Sequence, residues 1–499
     1  MIRTKRALFA LLFVSYAYFY QAGGWNQNTR FALVRAITNE HTLNIDPFRL
    51  ATGDKAFYNG HYYSDKAPGL SLAAVPAVAA ARPILRGAGG DPENYAGIAL
   101  LSYLATLFTA GLFTAMAGVS LFTICVELGA TESGALFAAI VFGLGSPIWT
   151  LATIFIGHAF SAALLVLAFA AAIRAGNGDW RQGALAGVCA GWATVSEFPA
   201  AVPAVIIAVI VVARVRPLGR VRSVPVIGAL VVGALATAGV LMAYQYACFG
   251  SAFHIAYASE AEYVGMQQGL FGVDVPRLIR LRRILFGEYR GLLPLAPVLA
   301  VAPVGWALMI FGSPKGLHYR NTAANEPAVQ PFSAPRVAAI AAALIAIYYV
   351  LLNASYAYWE GGWSYGPRHA SPAIPFLCIG LAALWTAAPR LLRLGLGIVC
   401  AYGVALTLVA VSTAPLPPNN IRRPVAELLW PAFRDGDLAL NTQTFVSGGA
   451  NPDFRAHTEP KAAFNLGMKM GLSGLASLAP LMLAWCACAG ALWRPSRAR

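Results

Sequence analysis

Charge is scarce in this sequence. Of 499 residues, 21 are Asp or Glu and 36 are Lys or Arg, so that 11% are charged while 58% are hydrophobic. A soluble domain carries about 25% charge. No water-soluble fold of this length hides so much apolar surface, which excludes a soluble enzyme or binding module. Cysteine is rare too. Of Cys125, Cys189, Cys248, Cys378, Cys400, Cys486 and Cys488, all but Cys248 fall in or at the end of apolar runs, without metal-ligand spacing. They read as small apolar packing residues, which argues against a disulfide framework and a cysteine-held metal. No basic-aromatic module for nucleic acid is present. The net charge of +15 comes mainly from cations in short loops between apolar runs, so it reports topology and contact with anionic lipid. A small-residue cleavage site is also lacking after "MIRTKRALFALLFVSYAYFY", so this stretch reads as a retained first span with its Lys/Arg cluster in the cytoplasm.

What is present is a series of apolar runs near 7–23, 97–124, 132–151, 158–173, 183–197, 199–213, 224–246, 291–312, 337–353, 371–388, 392–413 and 470–493. A crossing helix needs about 20 apolar residues, so the runs predict an all-α polytopic membrane protein of about twelve spans. With the N-terminus inside, the loops "RAGNGDWRQG", "RVRPLGRVRS", 313–336, "PRLLR" and the tail "RPSRAR" fall inside, each with Lys or Arg. The inner loop "ELGATESG" has neither. Both termini are then cytoplasmic. The run Ala67 to Ile84 is long enough to span, but a crossing there would send four arginines of "RVRPLGRVRS" outside. Together with Pro68, Pro76 and Pro83, this predicts a broken, shallow helix on the outer face. The expected organisation is a transmembrane unit over 1–413, with outer loops at 24–96 and 247–290. A small irregular outer segment follows over 414–468, then a last span and tail over 469–499.

The outer segments hold nearly all the reactive residues. "GWNQNTRFALVRAI" predicts a short interfacial helix with Phe31, Leu33, Val34 and Ile37 on its apolar side. Asp46, Asp54, Asp65, Lys55 and Lys66 follow within "DPFRLATGDKAFYNGHYYSDKAPG", beside His61 and Tyr62. Asn59 and Gly60 are turn residues able to fold Asp54 and Asp65 toward each other. Further along stand His158 and Glu197, each at the outer end of an expected span, then Arg290 and Arg368, each beside a glycine at a helix entry. A carboxylate at membrane depth is costly without a partner, so Glu197 is expected to pair with a site arginine. Arginines 277, 280 and 283 share one face of a helix and read as an interfacial stripe or a phosphate clamp. Acids and cations at a membrane surface suit transfer from a lipid phosphate. Cations hold the phosphate, a carboxylate takes the acceptor's proton, and aromatic rings receive sugar faces and lipid chains.

The order of an outer amphipathic helix followed by "SDKAPGLSL" resembles the GT-C superfamily of membrane glycosyltransferases, family 39 in particular, with its lipid A aminoarabinose transferase and protein mannosyltransferase relatives. "GPRHASPAIPFL" and "GEYRGLLPLAPVL" are similar to further segments of that family. The likeness covers roughly the first 300 residues and 355–390. It implies a GT-C-like fold with outer juxtamembrane helices and a polyprenyl-phosphate-sugar donor. It also implies a glycolipid, glycan or protein acceptor of the cell envelope, and a bacterial inner membrane. Lys66, Arg290 and Arg368 are then the phosphate-binding cations. Asn28, Arg30, His61, Tyr62, His158 and Glu197 line the site. Asp65 matches an acid that helps hold a divalent metal in the lipid A branch. His158 is either a lining residue or a second ligand with Asp65. One departure stands out. The family's acidic pair falls on Gln27 and Asn28, neither of which can act as a base. Either the base is Asp46, Asp54 or Asp65, or the chain is a flippase for a lipid-linked sugar or an inactive scaffold.

Overall fold

The computed structural model describes residues 1–267, 269–312, 333–440 and 463–493. Most of 313–336, all of 441–462 and the tail 494–499 therefore lie outside the described residues. The chain is an all-α polytopic membrane protein. Eight of its described helices are long and apolar enough to cross a bilayer, and three shorter ones are also apolar. Seven of the eight coincide with expected spans; the other is Gly69–Gly87. The expected span at 7–23 is a helix over Ile2–Ala17. It stops short because Phe19–Gln21 turns into an antiparallel strand pair with Ala463–Asn465. The expected span at 291–312 is broken into Leu292–Leu295, Pro297–Val301 and Ala302–Phe311, as prolines at its internal joints require.

Small residues let the helices approach. Gly183, Gly187 and Gly191 lie one turn apart on Trp180–Ser196. A Cβ at any of them would overlap Arg220–Phe249, at Val226, Leu230 and Thr237. This is the close backbone packing that replaces hydrophobic driving force in lipid.

Two sets of contacts define the ends of the bundle. At one end the Met1 amino group lies 3.8 Å from Glu132, and Glu127 pairs with Arg174. Arg181, Arg214 and Arg220 lie at helix ends beside them. At the other end Tyr18 bonds Ser477, and Gly69 abuts Ser196.

Gly69–Gly87 begins at that second end and stays there. Its residue Arg82 bonds Glu93 at 2.5 Å, and Glu93 reaches Arg35 at 3.6 Å and Asn39 at 3.0 Å. The chain then enters Tyr95–Thr106 and descends to Glu127 at the first end. The expected break is not found: Gly69–Gly87 is one continuous 19-residue helix with Pro76 and Pro83 inside it. It lies across the bundle end, since both its ends are tied to elements there.

Candidate functional site

The site begins with a hairpin. Lys55–Tyr58 pairs with His61–Ser64, with Lys55 opposite Ser64 and Tyr58 opposite His61. Asn59 and Gly60 supply the turn with φ of 49° and 84°, the left-handed pair that a tight hairpin demands. This register makes Asp54 and Asp65 neighbours, as the turn residues led one to expect. Lys66 closes the arrangement. Its Nζ lies 3.1 Å from Asp54 Oδ2 and contacts Asp65 Oδ2. Burial would lower the Lys66 pKa, but the two carboxylates outweigh it and raise it well above the usual lysine range.

A residue overlooked in the sequence sits behind this trio. Glu260 is buried and bridges the hairpin through Ala56, with the Ala261 amide donating to Lys55 O at 3.0 Å. Its carboxyl lies beside that of Asp65. Burial, then the Asp65 charge, pushes its pKa up to about 9. Asp65 is raised as well, first by burial, with Lys66 opposing.

Helix Trp25–Arg35 supplies the second constellation. Arg30, 1% exposed, donates to Glu197 Oε1 at 2.6 Å, to Ala67 O at 3.0 Å and to Asn26 Oδ1 at 3.1 Å. Glu197 thus has the arginine partner expected for it. His158 Nδ1 lies 3.9 Å from the same carboxylate, and its ring meets His369 edge-on at 5.1 Å. Burial and the adjacent Arg368 cation hold the His369 imidazole well below its usual pKa, so it is neutral.

These residues enclose a cavity of about 420 Å³ lined by Arg30, Asp54, Lys66, His158, Glu197 and Arg368. Its aromatic wall includes Tyr257, Tyr263, Tyr356 and Tyr358. Lys66 Nζ stands 5.5 Å over the Tyr257 ring. Arg30 and Lys66 are occupied by carboxylates. Arg368 is the contrast. It makes no ion pair among the described residues, and its buried Nε meets no acceptor there. Burial lowers its pKa, opposed by the field of Asp54, yet a guanidinium stays charged at neutral pH. The cavity therefore offers one unspent cation to an anion.

Other expected residues stand elsewhere. Asp46 braces the hairpin from outside, accepting from the Tyr62 amide at 2.6 Å and meeting His61 Nδ1 at 2.7 Å. Tyr62 packs its ring on Phe57. None of these three lines the cavity. Strand alternation turns Tyr63 toward Phe249 and leaves Tyr62 on the opposite face. Asn28 donates to Ala51 O at 2.6 Å, and Gln27 bonds Gly23 O and accepts from the Phe155 amide at 3.4 Å. Both amides hold backbone and neither lines the cavity. Arg290 also stands behind the wall. It stacks on Tyr289 and donates to Glu360 O and Gly362 O, fixing the loop that Arg368 follows. The stripe of Arg277, Arg280 and Arg283 lies on and beside helix Leu278–Phe286 and likewise contributes no lining residue.

Asp65 is engaged by Lys66 and Glu260, and His158 by Glu197 and His369. No group of three or more His, Cys, Asp or Glu among the described residues is placed to hold a metal ion.

Fold and site together define a polytopic α-helical membrane protein with a charged, aromatic-walled cavity at one end of its bundle. No family model matches the sequence, and no curated protein does. Among solved structures, the chain is similar to ArnT from Cupriavidus metallidurans bound to undecaprenyl phosphate. The identity is 17% and the TM-score 0.48, over 87% of this chain and 70% of that one. It is also similar to the archaeal oligosaccharyltransferase AglB from Archaeoglobus fulgidus, in complex with an inhibitory peptide and a dolichol-phosphate. There the identity is 13% and the TM-score 0.46, over 81% of this chain and 55% of that one. The chain thus spans about half the length of the archaeal protein.

Proposed function

We propose that this chain is a GT-C-type membrane glycosyltransferase. It moves a sugar from a polyprenyl-phosphate carrier to a cell-envelope acceptor on the outer face of a bacterial inner membrane. The observation that carries this reading is the convergence of Lys66, Arg368 and Asp54 on one cavity beside the membrane-spanning bundle. Arg368 receives the donor phosphate with the donor groups it has spare. Lys66, already held by two carboxylates, adds charge next to it as negative charge builds on the departing phosphate. Asp54 is the acid of the expected three that faces the cavity, and it takes the acceptor's proton as the new glycosidic bond forms. The tyrosines pack against the sugar ring.

Purified protein in detergent should bind undecaprenyl phosphate, and Arg368→Ala should weaken that binding at least tenfold. Glycosyl transfer from a polyprenyl-phosphate sugar to an envelope glycolipid extract is then measured. Absence of undecaprenyl phosphate binding overturns the reading. Movement of the lipid-linked sugar across sealed vesicles with no transfer would make the chain a flippase instead.

A further inference from the structure

A second concavity lies at the opposite end of the bundle, far from the site above. It has a volume of about 640 Å³ and runs between helices Ile2–Ala17, Leu112–Glu127 and Gly157–Arg174. Its rim is ionic and its floor apolar. Lys5, Arg6, Glu127 and Arg174 form the rim; Phe9, Met116, Val119 and Leu167 form the floor.

Two features decide what it fits. The first is charge. Glu127 and Arg174 satisfy each other through bonds of 2.8 to 3.1 Å. Lys5 and Arg6 have no acidic partner within ion-pair reach among the described residues. The rim is thus left with two unspent positive charges. The second is length. From Glu127 to Met116 the groove follows eleven residues of helix, about 16 Å at 1.5 Å per residue. That is about half of the ~30 Å hydrocarbon core, or one leaflet. A groove that starts at a cationic rim and runs one leaflet deep over apolar side chains matches a lipid with an anionic head and an acyl tail. Ser120 and Thr123 also line the groove, between Glu127 and Met116 on the same helix.

We propose that this groove binds an anionic glycerophospholipid, its phosphate between Lys5 and Arg6 and one acyl chain along Phe9, Met116 and Leu167. This stands independently of the glycosyltransferase reading.

The test is lipid retention by the full chain, measured by native mass spectrometry after incubation with phosphatidylglycerol or phosphatidylcholine. Wild type should retain phosphatidylglycerol preferentially. The double variant Lys5→Gln/Arg6→Gln should lose that preference roughly tenfold or more, at about fivefold per cation near a membrane surface. Met116→Trp should reduce retention of phosphatidylglycerol by filling the floor, with the rim charges unchanged. Thermal melting of each variant should match wild type, because both cations are partly or fully exposed. Equal retention of the two lipids by wild type, or unchanged preference in the double variant, overturns the proposal. So does full competition by glycerol phosphate, which would make the rim a site for a free phosphate. Preference that emerges only after removal of 494–499 would also overturn it, because the chain's own tail would then be the occupant.

Discussion

Arg30 and Glu197 lie 167 residues apart in the chain and meet at 2.6 Å, with side chains only 1% and 14% exposed. The pair ties helix Trp25–Arg35 to the turn between two membrane helices. Its geometry depends on Gly157, where a Cβ would overlap Glu197 Oε1. Gly157→Ala should therefore evict the carboxylate and leave Arg30 buried without its anion. Loss of one partner of a buried pair costs about 3–5 kcal/mol. A melting temperature equal to wild type would show that the carboxylate has another place to go.

Lys66 and Lys55 are similarly shielded, at 12% and 14%, but differ in what they face. Lys55 meets Glu262 at 3.5 Å outside the cavity. Lys66→Ala should abolish donor binding and lower transfer by at least a hundredfold, because it leaves Asp54 and Asp65 uncompensated. Lys55→Ala should lose less than threefold in either measurement. Equal losses at the two positions would remove the cavity from the reaction.

The three candidate bases, Asp54, Asp65 and Asp46, should separate in a transfer assay. Asp54→Asn should cost about 10²–10⁴ in rate, the range for a lost general base, with the fold intact. Asp65→Asn should lower both transfer and melting temperature, since this carboxylate is fully buried against Lys66. Asp46→Asn should leave transfer within threefold. Strong loss at Asp46 alone would move the chemistry to the outer face of the hairpin.

Glu260 gives the cluster a dependence on pH. Its carboxyl binds a proton more tightly when folded, with its pKa moving from 4.5 to about 9. The stabilisation is complete below the unfolded value and is lost as pH rises through the folded one. Melting temperature should fall between about pH 4.5 and 9, and Glu260→Gln, which keeps a donor toward Asp65, should flatten that fall. An unchanged slope in Glu260→Gln would show that another group titrates.

Gly87 ends the helix that lies across the bundle end, so a single cysteine there should react with an impermeant thiol reagent added outside cells. Reaction only after the inner face is opened would mean that Gly69–Gly87 crosses the membrane.

Much of this was legible in advance. Hydropathy located the membrane helices because lipid imposes length and apolarity directly on sequence. The Asn59–Gly60 turn set the hairpin register and with it the meeting of Asp54 and Asp65. Glu197 announced its need for a cation by its depth. What was illegible came from distant strands and loops. Glu260 joins through one bridge to Ala56 across some two hundred residues, and nothing local marks it. The aromatic wall is built from Tyr257, Tyr263, Tyr356 and Tyr358, ordinary residues until the two segments that carry them fold together. Asp46, His61 and Tyr62 were grouped with the site because they are near Asp54 and Asp65 in sequence, but none of them lines the cavity: Asp46 stands in the turn before the hairpin and bonds His61 and the Tyr62 amide instead.

The hairpin tip has a practical consequence. A Cβ on Gly60 would meet nothing within 4 Å, and His61 beside it is exposed. Besides the Asn59–Gly60 turn, the register has anchors further along: Asp46 bonds His61 and the Tyr62 amide, Lys55 faces Ser64, and Lys66 grips both flanking acids. The tip is thus free to accept foreign sequence while the base stays fixed. A short epitope spliced between Asn59 and Gly60 would serve as a handle for antibody capture, reporting which side of the membrane carries the cavity without touching a residue that lines it.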